Sequence, residues 1–224
     1  AAGQYLGIED MRDMDYVITT RELAQWARMK GIDFAALEDS DYDRLMGQGA
    51  GAGVIFGNTG GGMEAALRTA YEYMTGDKAP AVLYRLEPVR GMEAVKEASL
   101  QVGDRTVNVA VVYGTASLRR FLERMKDGEK QYHFVEVMTC PGGCIGGGGQ
   151  PKDKKFEGDA LRQKRIDSLY KRDGAMKVRL SHENQEIKAL YSEFYGKPLS
   201  ELAEKMLHTS YTDKRGQLDG EGID

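Results

Sequence analysis

The chain has 224 residues, 41% of them hydrophobic, and a formal net charge of −4. That is enough for one substantial domain with a buried core, and the acidic balance argues against nucleic acid as the main partner. No run of about 18 apolar residues occurs, so no membrane span is expected. The start, Ala1-Ala2-Gly3-Gln4-Tyr5, has no charged or apolar leader and no initiator Met, which reads as a processed or partial chain.

Asp15–Thr19 reads as a short strand. Thr19 then opens a helix, because Glu22 stands where a capping box requires it and each side chain can satisfy the other residue's backbone N–H. Leu23, Trp26 and Ala27 supply the apolar face, and Gly31 suits the left-handed C-terminal position. The stretch from Asp33 to Gly53 is acidic, then glycine-rich, and reads as a loop. Val54-Ile-Phe56 predicts a short buried strand, followed by Gly57-Asn-Thr-Gly-Gly-Gly62 and a helix over Met63–Met74, whose Met63, Ala66, Leu67, Ala70 and Met74 recur at helical spacing. This unit could cradle an anion at the helix N-terminus, although it lacks the ending of a phosphate loop and contains no GxGxxG.

Val82–Leu86, Ala94–Gln101 and Thr106–Tyr113 predict strands, the last two joined by a Gly103-Asp104 turn into a hairpin. Ser117–Lys126 is an amphipathic helix and Tyr132–Met138 a further strand. Strands alternating with helices imply an α/β layered fold. After Pro151 the pattern changes: Lys152–Lys155 is a charged connector, and Asp159–Lys171, Asn184–Tyr195 and Ser200–Leu207 predict helices. Ser200 is placed to cap the last of them. This region has few strand signals and suits a tail that wraps another body. Gly216–Asp224 reads as a frayed end.

Chemistry concentrates in Val135-Glu-Val-Met-Thr-Cys-Pro-Gly-Gly-Cys-Ile-Gly-Gly-Gly-Gly-Gln-Pro151. It holds the only two cysteines of the chain, Cys140 and Cys144, on a backbone stripped of side chains. Glycine permits close backbone approach and unusual dihedrals, and backbone N–H groups can donate to cluster sulfides. Pro141 stiffens the chain after the first thiol. A disulfide framework would spread its cysteines more widely. Clustering favours a thiol or metal role in a reducing compartment, which places the chain in the cytoplasm, with the periplasm as the alternative. From the residues alone a local disulfide, a pair of inert thiols, or a zinc site completed by His133 stay open.

The run Glu136-Val-Met-Thr-Cys-Pro-Gly-Gly-Cys-Ile-Gly-Gly-Gly-Gly-Gln-Pro151 resembles the third signature segment of the [FeFe] hydrogenases. Thr19–Leu23, Gly31–Phe34, Val54–Gly57, Thr59–Gly61, Met63–Tyr71, Gln131–Phe134, Ser181–Asn184 and His208–Asp213 are also similar to that family. The resemblance implies an α/β fold: one lobe of the H-cluster domain over 1–151, with a mixed sheet flanked by helices, and a helical tail over 152–224 resembling the hydrogenase small subunit. It implies an H-cluster, a [4Fe–4S] unit plus a diiron subcluster, that interconverts protons and electrons with H₂. Cys140 would ligate the [4Fe–4S] unit; Cys144 would ligate it and bridge to the diiron unit. Met138 and Phe56 would line the diiron pocket, a reading that ordinary core packing rivals.

Many relatives carry Val where this chain has Gly62, so the gas-access wall would differ. Gly146 replaces a small or polar residue, a change expected to matter little. Family members have two earlier signature segments, each supplying a further cluster cysteine, and neither occurs here. A [4Fe–4S] cluster takes about four cysteines, so this chain alone is expected to hold an incomplete cluster and to be inactive. Its implied partners are the missing N-terminal half of the catalytic domain, which would otherwise leave an apolar interface open to self-association, and ferredoxin or a similar electron carrier. A hydrogenase-like iron–sulfur protein that assembles clusters or senses redox state is the alternative.

Overall fold

The structure is a computed structural model that describes residues 14–41, 47–128, 130–152, 158–208 and 213. The polar end at 216–224 and most of the charged connector at 152–155 lie outside the described residues. Helix α1 spans Thr20–Met29, α2 Gly51–Ile55 and α3 Gly61–Thr75. Strands β1 (Val95–Val102) and β2 (Arg105–Tyr113) follow, then α4 (Thr115–Lys126) and β3 (Phe134–Met138). Helices α5 (Asp159–Ala175), α6 (Gln185–Leu190) and α7 (Glu201–Leu207) complete the order. Contacts divide the chain into two units, one of residues 17–187 and one of residues 1–16 with 188–224.

The larger unit is an α/β layer structure around a mixed sheet in the order β1-β2-β3. β1 and β2 pair antiparallel, Val102 opposite Arg105, across the expected Gly103-Asp104 turn, where Gly103 takes φ +61°. β2 and β3 pair parallel, with Val109 opposite Phe134 and Tyr113 opposite Met138. As the central strand, β2 is apolar on both faces. Val109 and Val111 pack with Met63, Leu67, Leu83, Leu86 and Val89, while Ala110 and Val112 face Phe121 of α4. A third apolar cluster joins Ala52 and Ile55 of α2, Ala65 of α3 and Tyr170 of α5.

Three expected strands do not form. Residues 16–19 carry no ladder, although the capping box at Thr19 and Glu22 is present. Val54 and Ile55 lie in α2, whose first N–H groups reach the Val178 and Arg179 carbonyls. A Cβ on Gly51 would sit 2.0 Å from the Asp173 carboxylate, so α2 exists through close approach to α5, not through helix propensity. Ala81–Tyr84 is a 3₁₀ turn, not strand, starting at Pro80. Its carbonyls are taken by arginines instead of a ladder: Arg68 Nε donates to Leu83 O at 3.1 Å and Arg90 to Tyr84 O at 3.0 Å.

The region after Pro151 is helical, as its sequence suggests. α5 packs on α2, and its Asp173 is fully buried between Arg68 and Arg179. The helix expected over Asn184–Tyr195 is α6, capped by Asn184 Oδ1, followed by a π turn at Tyr191–Tyr195. In the smaller unit, Ser200 Oγ accepts from the Ala203 N–H at 3.1 Å, the predicted cap. Among the described residues no helix is long and apolar enough to cross a membrane.

Candidate functional site: the cysteine loop

β3 delivers the chain to the loop carrying Cys140 and Cys144. Both thiols are free, so the local disulfide does not form; Cys140 is half-buried and Cys144 exposed. Gly142 and Gly143 take φ +78° and +91°, conformations that a side chain would strain. The loop is bonded across to the turn between α2 and α3. Thr59 N–H donates to Gly142 O and Ile145 N–H to Gly57 O, both at 3.0 Å. A Cβ on Gly143 would lie 2.7 Å from the Thr59 nitrogen.

Gly146 matters more than expected: a Cβ there would sit 2.1 Å from the Pro141 carbonyl oxygen. The N–H groups after Cys144 are also less available than the sequence suggests. Those of Ile145, Gly146, Gly147 and Gln150 are engaged in turns or with Gly57. Two arginines outside the loop hold its far side. Arg165 of α5 donates to Ile145 O at 2.8 Å and to Pro151 O at 2.5 Å; Arg21 of α1 donates to Gly148 O at 2.9 Å.

The anion cradle at the start of α3 is real, and its occupant is internal. Glu136 of β3 accepts from Gly60 N–H at 2.6 Å and Met63 N–H at 2.5 Å. The carboxylate meets the positive end of the helix and fixes β3 two residues before Met138, which lies on the same strand face. Met138 is half-buried. Phe56 is 53% exposed at the end of α2, and its ring stands 3.8 Å from the position of a Cβ on Gly62. The same Cβ would be 3.1 Å from Glu136, so a larger residue at 62 would press on both. Phe56, Gly62 and Glu136 thus converge. His133 is exposed and accepts at Nδ1 from Asn108 N–H, in the sheet. Among the described residues no group of three or more His, Cys, Asp or Glu side chains could hold a metal ion.

Residues 4–148 match the iron-only hydrogenase large subunit, C-terminal domain, and residues 159–214 match the iron hydrogenase small subunit. The chain belongs to the iron hydrogenase family. It is 50% identical over 200 residues to the NADP-reducing hydrogenase subunit HndD of Solidesulfovibrio fructosivorans, covering 89% of this chain and 33% of that protein. It is 43% identical over 205 residues to iron hydrogenase 1 of Clostridium pasteurianum, covering 91% and 35%. A variant of the [FeFe]-hydrogenase HydA1 from Chlamydomonas reinhardtii superposes with a TM-score of 0.71 at 39% identity, over 90% of this chain and 56% of that one. The chain therefore spans about a third of these curated relatives and just over half of the solved hydrogenase chain.

Two buried atoms test whether the loop suits an iron–sulfur group. Asn58 Oδ1 and Thr59 Oγ1 are buried without a hydrogen-bond partner among the described residues, on the residues packed against Gly143. Thr59 Oγ1 is a hydroxyl that can donate to a sulfur-rich anion held by the loop, whereas Asn58 Oδ1 is an acceptor and gives such an anion no support. Asn58 and Thr59 lie in the Gly57–Gly62 segment that the sequence marks as a candidate anion cradle, and Glu136 is legible as a carboxylate inside an apolar strand.

Proposed function

We propose that this chain forms the part of an [FeFe] hydrogenase catalytic domain in which Cys140 and Cys144 would hold the [4Fe–4S] half of the H-cluster, Cys144 serving as the ligand that would also join it to the diiron unit. The carrying observation is the pair of free thiols on a loop locked by Gly142, Gly143 and Gly146. When bound, the cluster supplies electron transfer and, with the diiron unit, the making and breaking of the H–H bond.

The chain's own contribution is to preorganise the site. The Thr59 and Gly57 hydrogen bonds fix the loop before iron arrives, so little ordering cost falls on binding. Glu136 holds β3 at the α3 N-terminus, which presents Met138 and Phe56 as pocket walls. Arg165 and Arg21 pin the far side of the loop. The further cysteine ligands come from polypeptide outside this sequence, and Leu23, Trp26 and Phe34, each 48% to 66% exposed, suit the apolar face that such a partner would cover. Electrons arrive from ferredoxin or a similar carrier. Identities of 43% and 50% to hydrogenases favour this over a cluster-assembly role.

The test is H₂ evolution by the full-length protein loaded with iron–sulfur and diiron groups. Activity that disappears in Cys140→Ser and Cys144→Ser, together with lost iron, is expected. A fully loaded wild type that evolves no H₂ rejects the enzyme, and undiminished iron in both variants rejects the ligands.

A further inference from the structure

Lys96, the second residue of β1, is a buried lysine, 3% exposed. Its parity puts it on the same strand face as Ala98, in the core. The ammonium donates to Thr59 O at 3.3 Å and to Gly91 O at 3.0 Å. These acceptors are not arbitrary. Thr59 N–H bonds Gly142 O of the cysteine loop, and Met92, next to Gly91, places its Sδ 3.1 Å from the position of a Cβ on Gly142. Lys96 therefore ties together two segments that press on Gly142 from different parts of the chain.

Both hydrogen-bond acceptors are neutral carbonyls. Burying a cation on such partners is costly, and burial lowers the Lys96 pKa to about 8, with Glu136 and Glu93 opposing the shift. Glu136 spends both carboxylate oxygens on Gly60 and Met63 N–H groups, so it compensates the lysine only through its field. A buried cation without a directly bonded counter-ion is poor architecture unless a further negative charge is nearby. A thiolate-ligated iron–sulfur cluster carries such a charge, and its potential depends on net charge and burial.

We propose that Lys96 is a positioning residue for the cluster held at Cys140 and Cys144, fixing Gly142 through Thr59 and raising the cluster's reduction potential with its buried positive charge. This rests on the cluster reading above. An added electron is stabilised by the ammonium, so neutralising it makes reduction harder.

The experiment is an EPR-monitored redox titration of the cluster in the full-length, iron–sulfur-loaded protein, near pH 7. Lys96→Gln keeps N–H donors for the carbonyls and removes the charge; Lys96→Met removes both; Lys96→Arg keeps the charge. The expected result is a more negative midpoint in the Gln and Met variants at wild-type iron content, with the Arg variant near wild type. A folded Gln variant with an unchanged midpoint overturns the proposal while leaving the ligand assignment intact. Failure of both neutral variants to fold also overturns it, reducing Lys96 to architecture. Absence of any cluster in the loaded wild type removes the ligand reading and this proposal together.

Discussion

Two charge networks sit along helix α3 and are built on opposite plans. At its N-terminus, Glu136 and Lys96 bond only to backbone groups: N–H of Gly60 and Met63, carbonyls of Thr59 and Gly91. One turn further on, the network of Glu64 and Arg68 bonds charged side chains to one another as well as to backbone, since Arg68 and Arg90 also donate to the Leu83 and Tyr84 carbonyls. Arg68 reaches Glu64 at 2.7 Å and Asp173 at 2.9 Å, Arg90 reaches Glu64 at 2.6 Å, and Arg179 reaches Asp173 at 2.6 Å. The second network matches charge to charge and closes the helix packing. The first leaves charges aimed at backbone beside the cysteine loop, an arrangement that makes sense when the charge balance is completed by a bound group. Stability should therefore depend most on the second network, and the site on the first.

The largest expected effect follows from Asp173→Ala. It removes one of the two carboxylates that hold the fully buried Arg68, and the carboxylate that pairs Arg179, and should lower unfolding free energy by about 3–5 kcal/mol, read from urea denaturation. A loss below about 1 kcal/mol would break the comparison. Burial raises the Asp173 pKa, but the bonds from Arg179 and Arg68 outweigh it and the net shift is downward. With the folded value below the unfolded one, the stabilisation is present above the ordinary aspartate pKa of about 3.9. It is lost as pH falls through the folded value. The stability gap between wild type and Asp173→Asn should hold constant above about pH 5 and shrink below it, as pH falls past the ordinary aspartate value toward the lower folded one.

Gly143→Ala comes next. Its φ of +91° with ψ of −157°, and the 2.7 Å approach to Thr59 N, put the cost at about 1–3 kcal/mol. The strain is local to the loop, so iron per chain should fall by more than the melting temperature suggests. Unchanged iron would show that the loop geometry is not needed for ligation.

How much of this was legible differs between the networks. The hairpin, α3 and α4 followed from periodicity, because each buries a regular stripe. The Cys140 and Cys144 segment was legible from composition and spacing. The charge networks were not, because Glu64, Arg68 and Asp173 look like solvated charges until α5 is known to pack on α2. The same blindness turned Val54–Phe56 into a strand: three apolar residues carry no period, and the Gly51 contact with Asp173 spans over a hundred positions. Lys96 was the nearest to a readable signal, a lysine at inward parity with Ala98.

Glu136→Gln sharpens the first network. Gln has one acceptor oxygen where Glu136 serves two N–H groups, so about 1–2 kcal/mol should be lost from an unsatisfied buried donor and the helix dipole together. Differential scanning calorimetry measures it. A loss as large as that of Asp173→Ala would mean that both networks are architectural.

The smallest effect is expected at Ser200, in the other contact unit. Its Oγ caps α7 through Ala203 N–H, and Ser200→Ala should cost about 1 kcal/mol, visible as faster amide exchange confined to 201–207. Because Ser200 belongs to neither network, iron content and cluster midpoint should match wild type. A drop in either would mean that a residue outside both networks governs the cysteine loop, and the division between stabilising and site-forming charges would have to be redrawn.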